Sequence, residues 1–216
     1  MSAIEKQIEK HTLSNGLEVL LVPTPGMEVV ALQGWIRFGA ADEPKEFAGI
    51  AHLFEHLLFK GTNKRGVGEI AREIESLGGD VNAFTTYDCT VMHLTVGRES
   101  AYEGIEILAD ALLNSIVDKD EYTREREVIL EEIKRRNDQP GSAASDLLRT
   151  HLFGEHPYAR PVIGYSSVVA NITRDQVVDV YKKYYNSKTI FLTLAGDFTE
   201  SLATKEVLKY LEKLFG

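Results

Sequence analysis

A chain of 216 residues, 44% hydrophobic and 26% charged, carries enough apolar material for a sizeable core and is too hydrophobic to stay disordered. Its net charge of −9 argues against a basic face for nucleic acid, and its single cysteine, Cys89, excludes an internal disulfide and a thiolate metal site. The charge-rich N-terminus lacks an apolar signal core, and no stretch approaches the ~18 apolar residues of a membrane span, so a cytoplasmic protein with no membrane partner is expected.

In chain order, Lys10–Leu13 and Leu17–Pro23 flank the turn signal Ser14-Asn15-Gly16 and predict a hairpin. Val29–Phe38 follows as a third strand, and Gly39–Glu46 reads as a loop. Ile50–Phe59 is a dense apolar run without glycine or proline; it predicts a helix that is apolar nearly all round and therefore buried. Gly66–Leu77 is helical and stops at Gly78-Gly79, and Asp80–Thr85 and Thr90–Val96 are strands. Helices are predicted over Glu99–Ser115, Asp120–Asn137, Ser142–Leu152, Thr173–Tyr185 and Ser201–Phe215, with a strand at Thr189–Ala195. Early hairpins followed by strands beside helix pairs imply an α+β fold with a mixed, largely antiparallel sheet, not a doubly wound parallel one. No linker or short repeat divides residues 1–216, which are expected to form a single domain.

The chemistry lies in His52-Leu53-Phe54-Glu55-His56. At about 100° per residue, His56 falls some 40° to one side of His52 and Glu55 about 60° to the other, so three polar groups share one helix face. Zinc favours imidazole and carboxylate ligands in a tetrahedral site with one position left for water, and Glu55 is close enough to take a proton from that water. A hydrogen-bonded polar cluster is the plainer alternative. Burying these groups among Ile50, Ala51, Leu53, Leu57 and Leu58 would cost several kcal/mol unless something satisfies them. For a third ligand, Glu125 and Glu132 stand seven residues apart on one face of the helix over 120–137, with Val128 and Ile129 between them, and face alone leaves them equal. Glu127 and Glu131 point away from that stripe, Glu131 toward a surface pair with Arg135, and Glu121 is expected at solvent. His93 and His151 are weaker candidates, lacking a spaced partner.

The inverted His-x-x-Glu-His order is a zincin signature, and nearly the whole chain resembles the pitrilysin, insulin-degrading enzyme and mitochondrial processing peptidase family. The segments that carry the resemblance are Gly49-Ile50-Ala51-His52-Leu53-Phe54-Glu55-His56-Leu57-Leu58-Phe59-Lys60-Gly61-Thr62, Gly79-Asp80-Val81-Asn82-Ala83-Phe84-Thr85, Glu125 to Ile133 and, less specifically, His156-Pro157-Tyr158. The resemblance implies a zinc endopeptidase with His52, His56 and Glu132 as ligands, Glu55 as general base, and Glu125 behind the ligands. It implies that Asn82, Ala83, Phe84 and Thr85 form an edge strand along which an extended peptide lies, the substrate class being unfolded peptides or presequences. Family members resemble a clamshell of two homologous halves, the second lending an Arg and a Tyr to the substrate. The present chain matches the first, so a homologous second half or partner subunit is the implied partner, without which zinc would bind and cleavage would be poor. Two rivals are a non-catalytic assembly subunit with the same fold and a zinc-stabilised binding module. The four intact residues His52, Glu55, His56 and Glu132 argue against the first, and peptide turnover separates the second.

Overall fold

Strands with apolar residues at every second position need one covered face, and helices with a single apolar stripe supply the cover. In the computed structural model, which describes residues 8–199 and 202–216, six strands of the described chain form one sheet. They are β1 (Glu9–Thr12), β2 (Glu18–Pro23), β3 (Val29–Ile36), β4 (Asp80–Thr85), β5 (Thr90–Gly97) and β6 (Ile190–Gly196). Their order is β1-β2-β6-β3-β5-β4, with β2 and β6 parallel and every other pair antiparallel. The fold is thus α+β with a mixed, largely antiparallel sheet.

The described helices are α1 (Ile50–Leu57), α2 (Glu69–Ser76), α3 (Ala101–Leu113), α4 (Lys119–Asn137), α5 (Pro140–Phe153), α6 (Ser166–Val169), α7 (Arg174–Tyr184) and α8 (Thr204–Phe215). Most match the predicted segments within a few residues. The exception is the short α6, which was not anticipated; α5 starts two residues early because Pro140 is preset for a first helical turn. The predicted start of the last helix, Ser201, lies outside the described residues. No described helix is long and apolar enough to cross a membrane.

Strand parity sorts the sheet into two faces. Val30, Leu32, Ile36, Met92, Leu94, Leu192 and Leu194 are buried beneath the helices. The intervening Gln33, Trp35, His93, Phe191 and Thr193 are half-buried on the other face, where Trp35 stacks on Phe191 at 5.5 Å and meets Phe84 edge-on at 6.4 Å. Helix α1 packs on β4, β5, α4 and α7 at the β4 end of the sheet, and its Phe54 lies 4.9 Å from Tyr181 and 4.4 Å from Tyr185. Helix α5 buries none of its residues; Leu147, Leu148 and Leu152 are each more than half exposed.

Two glycines let α1 enter this arrangement. Gly49, the N-cap, has φ +102°, and a Cβ there would lie 2.7 Å from the backbone oxygen of Ile163. Gly164 faces it at φ +79°, where a Cβ would lie 2.2 Å from the oxygen of Ala48. The chain therefore crosses itself at backbone contact just before the His-bearing helix. Replacing Gly49 with Ala combines a left-handed penalty with that overlap and is expected to cost roughly 2–3 kcal/mol, read as a lowered urea midpoint with unchanged slope.

Candidate active site

Helix α1 begins where Glu43, only 4% exposed, accepts the backbone N–H groups of Gly49 and Ala51, each at 2.8 Å. Burial pushes this carboxyl up to about 7 against the pull of those two bonds. Arg160 pins the same loop by donating to the backbone oxygens of Glu43 and Ala40 at 2.9 and 3.2 Å. The loop and the segment after His156-Pro157-Tyr158 thus jointly hold the start of α1. No sequence signal beyond an acidic residue shortly before the helix marks Glu43.

Along α1, Ile50, Ala51, Leu53, Phe54 and Leu57 are buried, while His52, Glu55 and His56 form a half-buried stripe. That stripe faces α4, whose Glu132 completes a group: one ligand atom each from His52, His56 and Glu132 lies within 4.8 Å of the others. Nε2 of His56 is 3.8 Å from Oε2 of Glu132. Its Nδ1 is 2.9 Å from Oε2 of Glu125, and because a carboxylate can only accept, Nδ1 carries a proton and Nε2 is the nitrogen turned toward Glu132. The two glutamates that sequence leaves equal thus stand on opposite edges of the His56 ring. Burial works against charge at Glu125, but hydrogen bonds from Lys60 and His56 outweigh it and hold the carboxyl below its ordinary range.

Two buried polar atoms here have no hydrogen-bond partner, Nδ1 of His52 and Oε2 of Glu55. Burial lowers His52 to about 4, with the neighbouring His56 adding to the effect. Burial likewise raises Glu55, partly opposed by Thr85 and His56. An imidazole with an unpartnered buried nitrogen, a second imidazole and a carboxylate, all close together, fit a zinc ion in ligand type and number. A groove of about 400 Å³ lined by Glu132, Arg135, Arg136, Gln139 and Ser142 opens beside the group.

The edge-strand residues divide by parity. Ala83 is buried and Thr85 faces Glu55, whereas Asn82 and Phe84 are exposed on the face away from the helices. Beyond β4 the sheet has no further strand among the described residues. His93 lies on that far face with Phe84, and the His151 ring bonds Leu147 O on exposed α5, so neither joins the group. Three expectations on α4 are corrected. Glu121 is 5% exposed and paired with Arg124, because it extends the inward row of Glu125 and Ile129 by one turn. Val128, expected in the apolar stripe, is 44% exposed, and Glu131 pairs with Lys134, not Arg135.

The metal-free protein should therefore lose stability on acidification. Between the ordinary histidine pKa of about 6.5 and the folded value of about 4, the unfolded chain takes up a proton at His52 that the folded chain refuses. Urea midpoints are expected to fall from pH 7.5 to pH 5, and to fall less in His52→Gln.

Comparison with known proteins identifies the family of the chain. Residues 18–166 match the family described as Insulinase (Peptidase family M16). The chain is 33% identical over 209 residues to YmxG of Bacillus subtilis, named an uncharacterized zinc protease, covering 97% of this chain and 50% of that protein. It is 36% identical over 188 residues to an uncharacterized zinc protease of Mycobacterium tuberculosis, covering 87% and 43%. The chain thus spans about half the length of the curated relatives it matches. A solved protease from Helicobacter pylori superposes with TM-score 0.89 at 28% identity, over 96% of this chain and 49% of that one. The same fold recurs at TM-score 0.87 and 22% identity in a Pseudomonas fluorescens structure described as a peptidase M16 inactive domain, over 96% and 50%. The chain belongs to the insulinase family of peptidases, M16.

Proposed function

We propose that this chain is the zinc-bearing first half of an endopeptidase that hydrolyses extended, unfolded peptides, with His52, His56 and Glu132 as the residues that would hold the metal. The observation that carries the reading is the approach of those three ligand atoms to within 4.8 Å beside the unpartnered carboxylate oxygen of Glu55. Zinc, when bound, polarises the scissile carbonyl and lowers the pKa of a water toward neutrality. Glu55 accepts a proton from the attacking water and returns it to the departing amine, a task suited to a carboxyl whose pKa burial has raised. Glu125 holds the His56 ring through Nδ1.

The open edge of β4 lies next to α1, and a peptide added there as a strand would gain main-chain hydrogen bonds that tolerate many sequences. In this reading Asn82, Ala83, Phe84 and Thr85 form the binding edge, with Ala83 and Thr85 turned toward the catalytic helix and Asn82 and Phe84 away from it. The relatives' double length supports a homologous second half as partner. The rival is a non-catalytic assembly subunit, favoured by the fold shared with a domain described as inactive.

The test is zinc content and cleavage of an unfolded peptide, measured in the same samples with and without the other half of the full-length protein. Wild type is expected to hold close to one zinc per chain; His52→Ala and Glu132→Ala should lose most of it. Glu55→Gln should keep the metal and lose activity by about 10²–10⁴-fold. A wild-type chain that takes up no zinc after supplementation would overturn the peptidase reading and favour the assembly subunit.

A further inference from the structure

One cation touches this centre without a part in its chemistry. The ammonium of Lys60 lies 2.7 Å from Oε1 of Glu125, whose Oε2 takes the His56 Nδ1–H at 2.9 Å. The Glu125 side chain is only 10% exposed, and a carboxylate held through both oxygens has little freedom to rotate. Lys60 follows His56 by four residues and stands in the turn that leaves α1, three residues past its last residue, Leu57.

The backbone that delivers Lys60 is fastened elsewhere. Its N–H donates to Leu57 O at 3.1 Å, and Gly61, at φ +113°, turns the chain sharply away from α1. The next turn closes through Thr62 N–H to Arg65 O at 2.8 Å, and the Thr62 hydroxyl donates to Asp110 of α3 at 2.7 Å. Arg65 spreads its guanidinium over Glu73 of α2 and over Glu106 and Asp110 of α3, at 2.9, 2.5 and 2.8 Å. Asp110 is 2% exposed, so this network is part of the interior and gives the turn after α1 a fixed seat on two other helices.

We propose that Lys60 is a positioning residue for the metal centre: it fixes the Glu125 carboxylate, which in turn fixes the orientation and tautomer of His56 so that Nε2 is presented toward Glu132. The inference rests on the metallopeptidase reading above. It assigns a use to the Thr62, Arg65 and Asp110 network, which would keep Lys60 from swinging into solvent. It also accounts for the division of labour between the two glutamates, since both oxygens of Glu125 are turned to Lys60 and to Nδ1 of His56, while Glu132 stands beside Nε2.

Charge alone predicts the opposite behaviour, which makes the test discriminating. Removing a cation from beside a dication should tighten metal binding if only Coulomb terms matter. If orientation dominates, binding should weaken as it does when other groups behind metal ligands are lost, by about 10-fold or more. Zinc affinity is measured by competition with a chromogenic chelator for wild type, Lys60→Met, Lys60→Gln, Lys60→Arg, Glu125→Gln and the double variant Lys60→Met with Glu125→Gln, each first checked for a wild-type circular-dichroism spectrum. The expected result is about 10-fold weaker binding in Lys60→Met and Lys60→Gln, recovery to within about 3-fold in Lys60→Arg, and no further loss when Lys60→Met is added to Glu125→Gln. Unchanged or tighter binding in Lys60→Met and Lys60→Gln, or additive losses in the double variant, would overturn the proposal while leaving the peptidase reading intact. A wild type without zinc affinity would instead remove that reading, and this one with it.

Discussion

A ring nitrogen shut away from water with nothing to bond costs a folded chain about 1–3 kcal/mol, and α1 carries such an atom, His52 Nδ1, beside a second orphan, Glu55 Oε2. A fold selected only for stability would place apolar side chains there. Instead the surroundings hold the helix rigidly from every side: two glycines in backbone contact at its entrance, Glu43 across its first N–H groups, Phe54 among tyrosines beneath it, and the Arg65 network past its end. Each restrains a helix whose polar stripe would otherwise relax toward solvent.

The sheet contributes an edge in place of a pocket. Because β4 is terminal among the described strands and packs against α1, a row of main-chain groups lies alongside the polar stripe. Thr85 joins the two, belonging to the edge strand and facing Glu55. In the proposed function, recognition and chemistry would be coupled through one residue of one strand, with side-chain parity setting which neighbours point at Glu55.

Elements were legible in this sequence wherever a local period expresses burial. The alternation in β3, the turn at Ser14-Asn15-Gly16 and the stops at Gly78-Gly79 need only neighbouring residues. The spacing of His52, Glu55 and His56 marked the chemistry for the same reason. The candidate for a third ligand was not local: Glu125 and Glu132 share a face of α4, and only the height at which α4 crosses α1 separates them, one at each edge of the His56 ring. Glu43 and Arg160 stayed hidden because their partners are backbone atoms, which no side-chain pattern reports. Lys60 escaped the helical reading because it lies beyond the end of α1, in the turn that follows Leu57. Glu121 was misplaced by treating a first turn as solvent when its row, continued from Glu125 and Ile129, pointed inward.

Strand β6 has a consequence for how the molecule is made. It sits between β2 and β3, yet it is drawn from residues 190–196, after seven of the eight described helices have been synthesised. Until it arrives, β2 and β3 each present a bare row of amide and carbonyl groups flanked by Leu21, Leu32 and other core residues, the kind of template that recruits a strand from another chain. Closing the sheet means joining segments more than 150 residues apart in sequence, as in the pairing of Gln33 with Thr193, so loop closure burdens assembly heavily. On the ribosome, the hairpins and the His-bearing helix wait for β6, the last of the described strands, before the sheet can close.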